Sequence, residues 1–150
     1  MRALFVVLMA VVLGACGSMS GSKEPKGGGE VFKLEGENPL NAELNDCRIV
    51  GGRKFTAEVT FTNPGTKILS FKRENVALVY NGTRLIARDI KKHEMDVDIP
   101  PGTSKTKYWG FHTDDPQAGA YDVVVSGIMV HEGAEKRPLG RDLTIRIKID

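Results

Sequence analysis

Phe55, Ala57, Val59 and Phe61 alternate with Thr56, Glu58 and Thr60, and Leu143, Ile145, Ile147 and Ile149 alternate with Thr144, Arg146 and Lys148. A period of two sends every second side chain to one face, so each run predicts a strand that is buried on one side and wet on the other. The same rhythm returns in shorter pieces at Leu69 and Phe71, Asp96–Ile99 and Lys105–Phe111. Val76–Tyr80 and Ala120–Val130 are apolar on both faces, which fits central strands. Breakers separate the runs. Asn63-Pro64-Gly65-Thr66, Pro100-Pro101-Gly102 and Asp114-Asp115-Pro116 stop strand pairing, and Asn81-Gly82 tolerates the positive φ of a two-residue hairpin. About seven or eight strands at this spacing, with no amphipathic helix, predict an all-β fold: an antiparallel β-sandwich over residues 31–150, with a small barrel as the alternative closure. At 150 residues such a chain buries roughly two-thirds of its unfolded surface, enough to fold without disulfides.

The N-terminus follows different rules. Met1-Arg2 precedes an apolar run from Ala3 to Leu13, which ends in Gly14-Ala15-Cys16. Eleven apolar residues rise about 16 Å as a helix, short of the roughly 30 Å of a bilayer core. A basic start, an apolar middle and small residues at the end predict a secretory signal peptide over residues 1–15. Residues 16–30, rich in Gly and Ser, read as a flexible tether.

Leu13-Gly14-Ala15-Cys16 resembles the lipobox of bacterial lipoproteins. The resemblance implies cleavage between Ala15 and Cys16, diacylglycerol on the Cys16 thiol, and fatty acylation (palmitate being typical) of the new amino group. Cys16 is then the lipid attachment site and the first residue of a membrane-anchored protein of the cell envelope. Gly17, where Asp would favour the inner membrane, implies the periplasmic face of the outer membrane in a Gram-negative host. Each buried methylene contributes about 0.8 kcal/mol, and two or more acyl chains anchor stably. With lipid on Cys16, no intramolecular disulfide is available, and Cys47 is expected to be a buried, inert thiol.

The charge balance limits the choice of partners. Lys and Arg total 21 against 19 acids, a net charge of +2. Losing residues 1–15 removes Arg2 and no acid, leaving +1. No basic surplus marks a nucleic-acid binder. Phe61-Thr62-Asn63-Pro64-Gly65-Thr66, Val79-Tyr80-Asn81-Gly82-Thr83-Arg84-Leu85 and Ile99-Pro100-Pro101-Gly102 resemble the immunoglobulin-like domain of secreted bacterial lipoproteins. They also resemble, more weakly, the water-stress domain of late-embryogenesis-abundant proteins, from which Gly65 departs where a second Asn is usual. Both resemblances imply a β-sandwich and neither implies a catalytic site.

The sequence offers little to build chemistry from. His93, His112 and His131 form no HxH or HExxH pattern, and their acidic neighbours lack the glycine-turned oxygen cage that calcium requires. No Gly-x-Ser-x-Gly elbow is present, and Gly27-Gly28-Gly29 lacks the Lys-Ser/Thr of a phosphate loop. Catalytic, cofactor and metal sites are therefore not expected. In Lys105-Thr106-Lys107-Tyr108-Trp109-Gly110-Phe111, strict alternation puts Lys105, Lys107, Trp109 and Phe111 on one face. Either the strand enters the core in its second half, with a bulge at Gly110, or these four residues form an exposed partner surface. The expected function is non-enzymatic protein binding or scaffolding with an unidentified envelope partner. The alternatives are an inhibitor or adaptor of an envelope enzyme, a stress-protective domain, and a metal-dependent enzyme built on the acidic His loops.

Overall fold

The computed structural model describes residues 14–18, 30–87, 96–113 and 119–149. The apolar part of the signal segment, most of the tether, His93 and the Asp114-Asp115-Pro116 breaker lie outside the described residues. The described residues form thirteen strands and a single 3-10 turn. In chain order the strands are β1 (Gly14–Ser18), β2 (Val31–Leu34), β3 (Leu40–Val50), β4 (Lys54–Thr62), β5 (Leu69–Lys72), β6 (Val76–Tyr80) and β7 (Thr83–Ile86). They continue with β8 (Asp96–Ile99), β9 (Ser104–His112), β10 (Gly119–Val125), β11 (Met129–Glu132), β12 (Glu135–Pro138) and β13 (Leu143–Ile149). The fold is all-β, as the alternation predicts.

One sheet runs β7-β6-β10-β13-β1-β3-β4-β9, with β2 paired to β3. Its two arms fold over one another: Phe55 of β4 stacks on Tyr121 of β10 with ring centroids 5.5 Å apart. A second sheet, β12-β11-β5-β8, extends the β6–β10 arm, and Phe61 of β4 meets Phe71 of β5 edge-on at 5.0 Å. All the pairs are antiparallel except those of β1, which runs parallel to both β13 and β3 and joins the two arms along one side.

Local chemistry explains the main departures from simple alternation. β3 carries a register shift between Leu44 and Asp46. The extra residue moves the inward positions from Leu40, Ala42 and Leu44 to Cys47, so no single period of two spans the strand. Ala120–Val130, expected as one strand, is divided between β10 and β11, which lie in different sheets. The break falls at Gly127, whose φ of +61° lies in the left-handed region that side chains disfavour. Asn81 and Gly82 turn β6 into β7 with φ of 48° and 76°, the paired positive values that a tight hairpin needs.

Asn63 joins two of the turn motifs read from the sequence. Its fully buried side-chain amide donates to the carbonyls of Lys67 and Ile99, both at 2.8 Å, and its Oδ1 accepts from Gly65 N at 3.0 Å. The backbone NH donates to Thr103 O at 3.0 Å, and the backbone carbonyl accepts from Gly102 N at 2.8 Å. The Asn63–Thr66 and Ile99–Gly102 turns are thus held together by one residue.

Candidate functional site

The sulfur of Cys47 departs from expectation. Cys47 is buried and disulfide-bonded, which corrects its assignment as a lone thiol. The backbone supplies the reason: in the parallel pairing of β1 with β3, Gly17 lies opposite Arg48 and Ser18 opposite Ile49. One residue earlier in each strand come positions 16 and 47, the two cysteines of the chain. A sulfur carries either a thioether or a disulfide, so the oxidised form and a lipid-bearing Cys16 are alternative chemical states.

The four residues 105, 107, 109 and 111 do not form one surface. Trp109 and Phe111 are buried, whereas Lys105 is exposed and Lys107 half-buried. The strand enters the core in its second half. It does so without a bulge, since β9 keeps continuous register with β4 from Ser104 to His112. Trp109 meets Phe61 edge-on at 5.7 Å, donates from Nε1 to Arg73 O at 3.4 Å, and lies under the Arg73 guanidinium at 5.2 Å from the ring centroid. Arg73 also donates to the Tyr108 carbonyl. The aromatic ring that is exposed on this strand is Tyr108.

The histidines are likewise dispersed. His112 ends β9 and His131 lies on β11, in different sheets. Among the described residues no three His, Cys, Asp or Glu side chains are grouped to hold a metal ion.

A better-formed site lies on the outer face of the smaller sheet. Leu69, Phe71, Val97, Ile99 and Val130 point into the core. Period-two geometry therefore turns Ser70 and Lys72 of β5, Asp96 and Asp98 of β8, and Met129 and His131 of β11 the other way. Register places Lys72 opposite Asp96, Ser70 opposite both Asp98 and Met129, and His131 opposite Lys136 of β12. A cavity of about 370 Å³ opens here, lined by Ser70, Phe71, Lys72, Asn75, Asp96, Gly127, Met129 and Lys136.

Three features shape this cavity. Ser70, 5% exposed, shares a hydrogen bond of 2.7 Å between its Oγ and His131 Nε2. Asn75 stands where the 3-10 turn meets the break after β10: its carbonyl accepts from Ser126 N at 3.2 Å and from Ser126 Oγ at 3.0 Å. A Cβ on Gly127 would sit 2.5 Å from Asn75 Nδ2, so the missing side chain makes room for the amide. At the sheet margin, Glu132 accepts from Lys67 Nζ at 2.7 Å and from Arg137 Nε at 2.8 Å. Those bonds, led by the one from Lys67, hold its carboxyl at about 2.

Chemically, a serine hydroxyl bonded to an imidazole matches the first two members of a nucleophile–base relay. Among the described residues, however, the side-chain partner of His131 is Ser70 alone, with no carboxylate bonded to the ring. The arrangement is better equipped to bind. It offers two ammonium groups, one carboxylate, an amide and the Met129 thioether. The alternation around Leu69 and Phe71 gave the outward direction of Ser70 and Lys72; the convergence of four short strands from distant parts of the chain had no local signal.

No family model and no curated protein matches the chain. Solved structures do. ycdA, a presumed lipoprotein of Bacillus subtilis, aligns with a TM-score of 0.56 at 13% identity over 79% of this chain. The chain spans 39% of ycdA's length. The yjhA protein of Bacillus subtilis aligns with a TM-score of 0.50 at 16% identity, over 81% of this chain and 97% of its own. At these identities the likeness shows a shared fold.

Proposed function

We propose that the chain is a lipid-anchored protein of the cell envelope whose β-sandwich is a non-catalytic binding module, with the outer face of β5, β8, β11 and β12 as its binding surface. The observation that carries the anchor is Leu13-Gly14-Ala15-Cys16 at the end of a basic-then-apolar segment, followed by a Gly/Ser-rich tether. The presumed lipoprotein status of ycdA, a structural neighbour, is in keeping with it. In a Gram-negative host, Gly17 directs the protein to the periplasmic side of the outer membrane. The binding role is supported by the cavity among Ser70, Asn75, Met129 and Lys136.

The test is metabolic labelling with radioactive palmitate in cells making the full chain or its Cys16→Ser variant. The parent takes up label and partitions with lipid; the variant does neither. Cys47 provides a second readout, because a thioether on Cys16 leaves Cys47 to be alkylated once after denaturation without reductant. Equal label in parent and variant overturns the anchor. So does an unlabelled parent with no alkylatable thiol, which is the disulfide state.

A further inference from the structure

We propose that the cavity on the outer face of the smaller sheet binds a small monocarboxylate with a short apolar body; this rests on that face being the binding surface. Met129 is at the centre of the geometry. It lies opposite Ser70 on one side and Pro138 on the other, so Lys72 and Lys136 flank it on opposite diagonals. All three line the cavity. The polarisable, unbranched thioether of Met129 suits an apolar body of variable shape. The volume of about 370 Å³ falls in the range of small-molecule sites.

Charge selects the head group. Lys72 lies opposite Asp96 and within 3.8 Å of Glu74, so its charge is already balanced. Lys136 forms no ion pair with any described residue. The cavity therefore has one uncompensated positive charge, which suits one negative charge. Asp96, on the Lys72 side, repels a second. A carboxylate accepts charge-assisted hydrogen bonds from an ammonium group, and its other oxygen is free for a neutral donor. The Asn75 amide, given room by Gly127 and making no side-chain hydrogen bond to any described residue, lines the same cavity as a neutral donor.

Isothermal titration of the full chain with hexanoate, 1-hexanol, hexylammonium and inorganic phosphate tests the proposal. Hexanoate should saturate at one per chain, with hexanol at least tenfold weaker and no saturable binding of hexylammonium or phosphate. Lys136→Met should weaken hexanoate at least tenfold and leave hexanol unchanged, while Asp96→Asn should tighten hexanoate several-fold. Circular dichroism of each variant confirms folding. Equal affinity for hexanoate and hexanol, or an unchanged affinity in Lys136→Met, overturns the proposal. Palmitate on Cys16 without hexanoate binding refutes the ligand alone; hexanoate binding without palmitate refutes the anchor alone.

Discussion

At one end of β9, Trp109 and Phe111 lie opposite Ala57 and Phe55; at the other, Lys105 and Lys107 lie opposite Phe61 and Val59. All four occupy the core-facing register of one continuous strand, yet the aromatics are buried and Lys105 is exposed. The aromatic end is fixed by Phe55 and Phe61 of the neighbouring strand β4 and by the Arg73 guanidinium over the Trp109 ring. The lysine end is fixed by hydrogen bonds: just beyond it, Asn63 ties Thr103, Gly102, Ile99 and Lys67 together. Alternation assigns a side chain to a face. Whether that face is dry depends on what the rest of the chain places against it.

The largest effect should come from the aromatic end. Trp109→Ala removes a ring that fills the space beneath Arg73 and against Phe61, and the expected loss is about 3–5 kcal/mol, read as a lower urea midpoint. A loss comparable to that of a surface substitution would mean that Trp109 does not hold the layers together. Next comes the hydrogen-bonded end. Asn63→Ala leaves the buried Ile99 carbonyl, the part-buried Lys67 carbonyl and the Gly65 NH without their partner, for an expected loss of about 1–3 kcal/mol. Amide exchange at Gly102, whose NH donates to the carbonyl of residue 63, should accelerate with it, which a purely local turn defect at Pro64 would not produce.

Lys105 and Lys107 sharpen the contrast from the other side. The Lys105→Ala/Lys107→Ala double variant should change stability by no more than about 0.5 kcal/mol, measured by the same unfolding curve. A larger loss would show that the lysine stems cover Phe61 and Val59, making the two ends more alike than their exposure implies.

How much of this was legible beforehand depends on sequence distance. Phe55 to Phe61 and Leu143 to Ile147 declare their strands, and Asn81-Gly82 declares its hairpin, because the information is local. β3 hides its length behind the extra residue after Leu44, and Ala120–Val130 conceals the break at Gly127 among apolar neighbours. Asn63 reads as a turn residue; that it reaches Ile99 depends on a contact across 36 positions. The candidate site is the extreme case. Ser70 and His131 are 61 residues apart, and each alone is an unremarkable polar residue on a short strand. The alternative fates of the two sulfurs were likewise hidden, because the lipobox specifies chemistry at Cys16 without indicating that position 47 lies alongside.

The smallest effect lies where the hydrogen-bonded end continues into the smaller sheet. Lys67, whose carbonyl accepts from Asn63, extends its ammonium to Glu132 on β11, which also accepts from Arg137. These bonds lower the Glu132 carboxyl from its ordinary 4.5 to about 2. A depressed carboxylate contributes fully above its unfolded value, and that contribution is lost as pH falls through the folded one. The link from Lys67 to β11 should therefore persist through mild acid and fail only near pH 2. Carbon-detected NMR titration of the Glu132 carboxyl checks this directly. Lys67→Met should move the midpoint up towards the ordinary value, and Arg137→Gln should move it less, because the bond from Lys67 is the larger cause. Because the pair is exposed, raised salt should shift the parent midpoint in the same direction. A midpoint near 4.5 in the parent would break the side-chain link and leave the backbone bond from His131 to Ile68 to join that segment to β11.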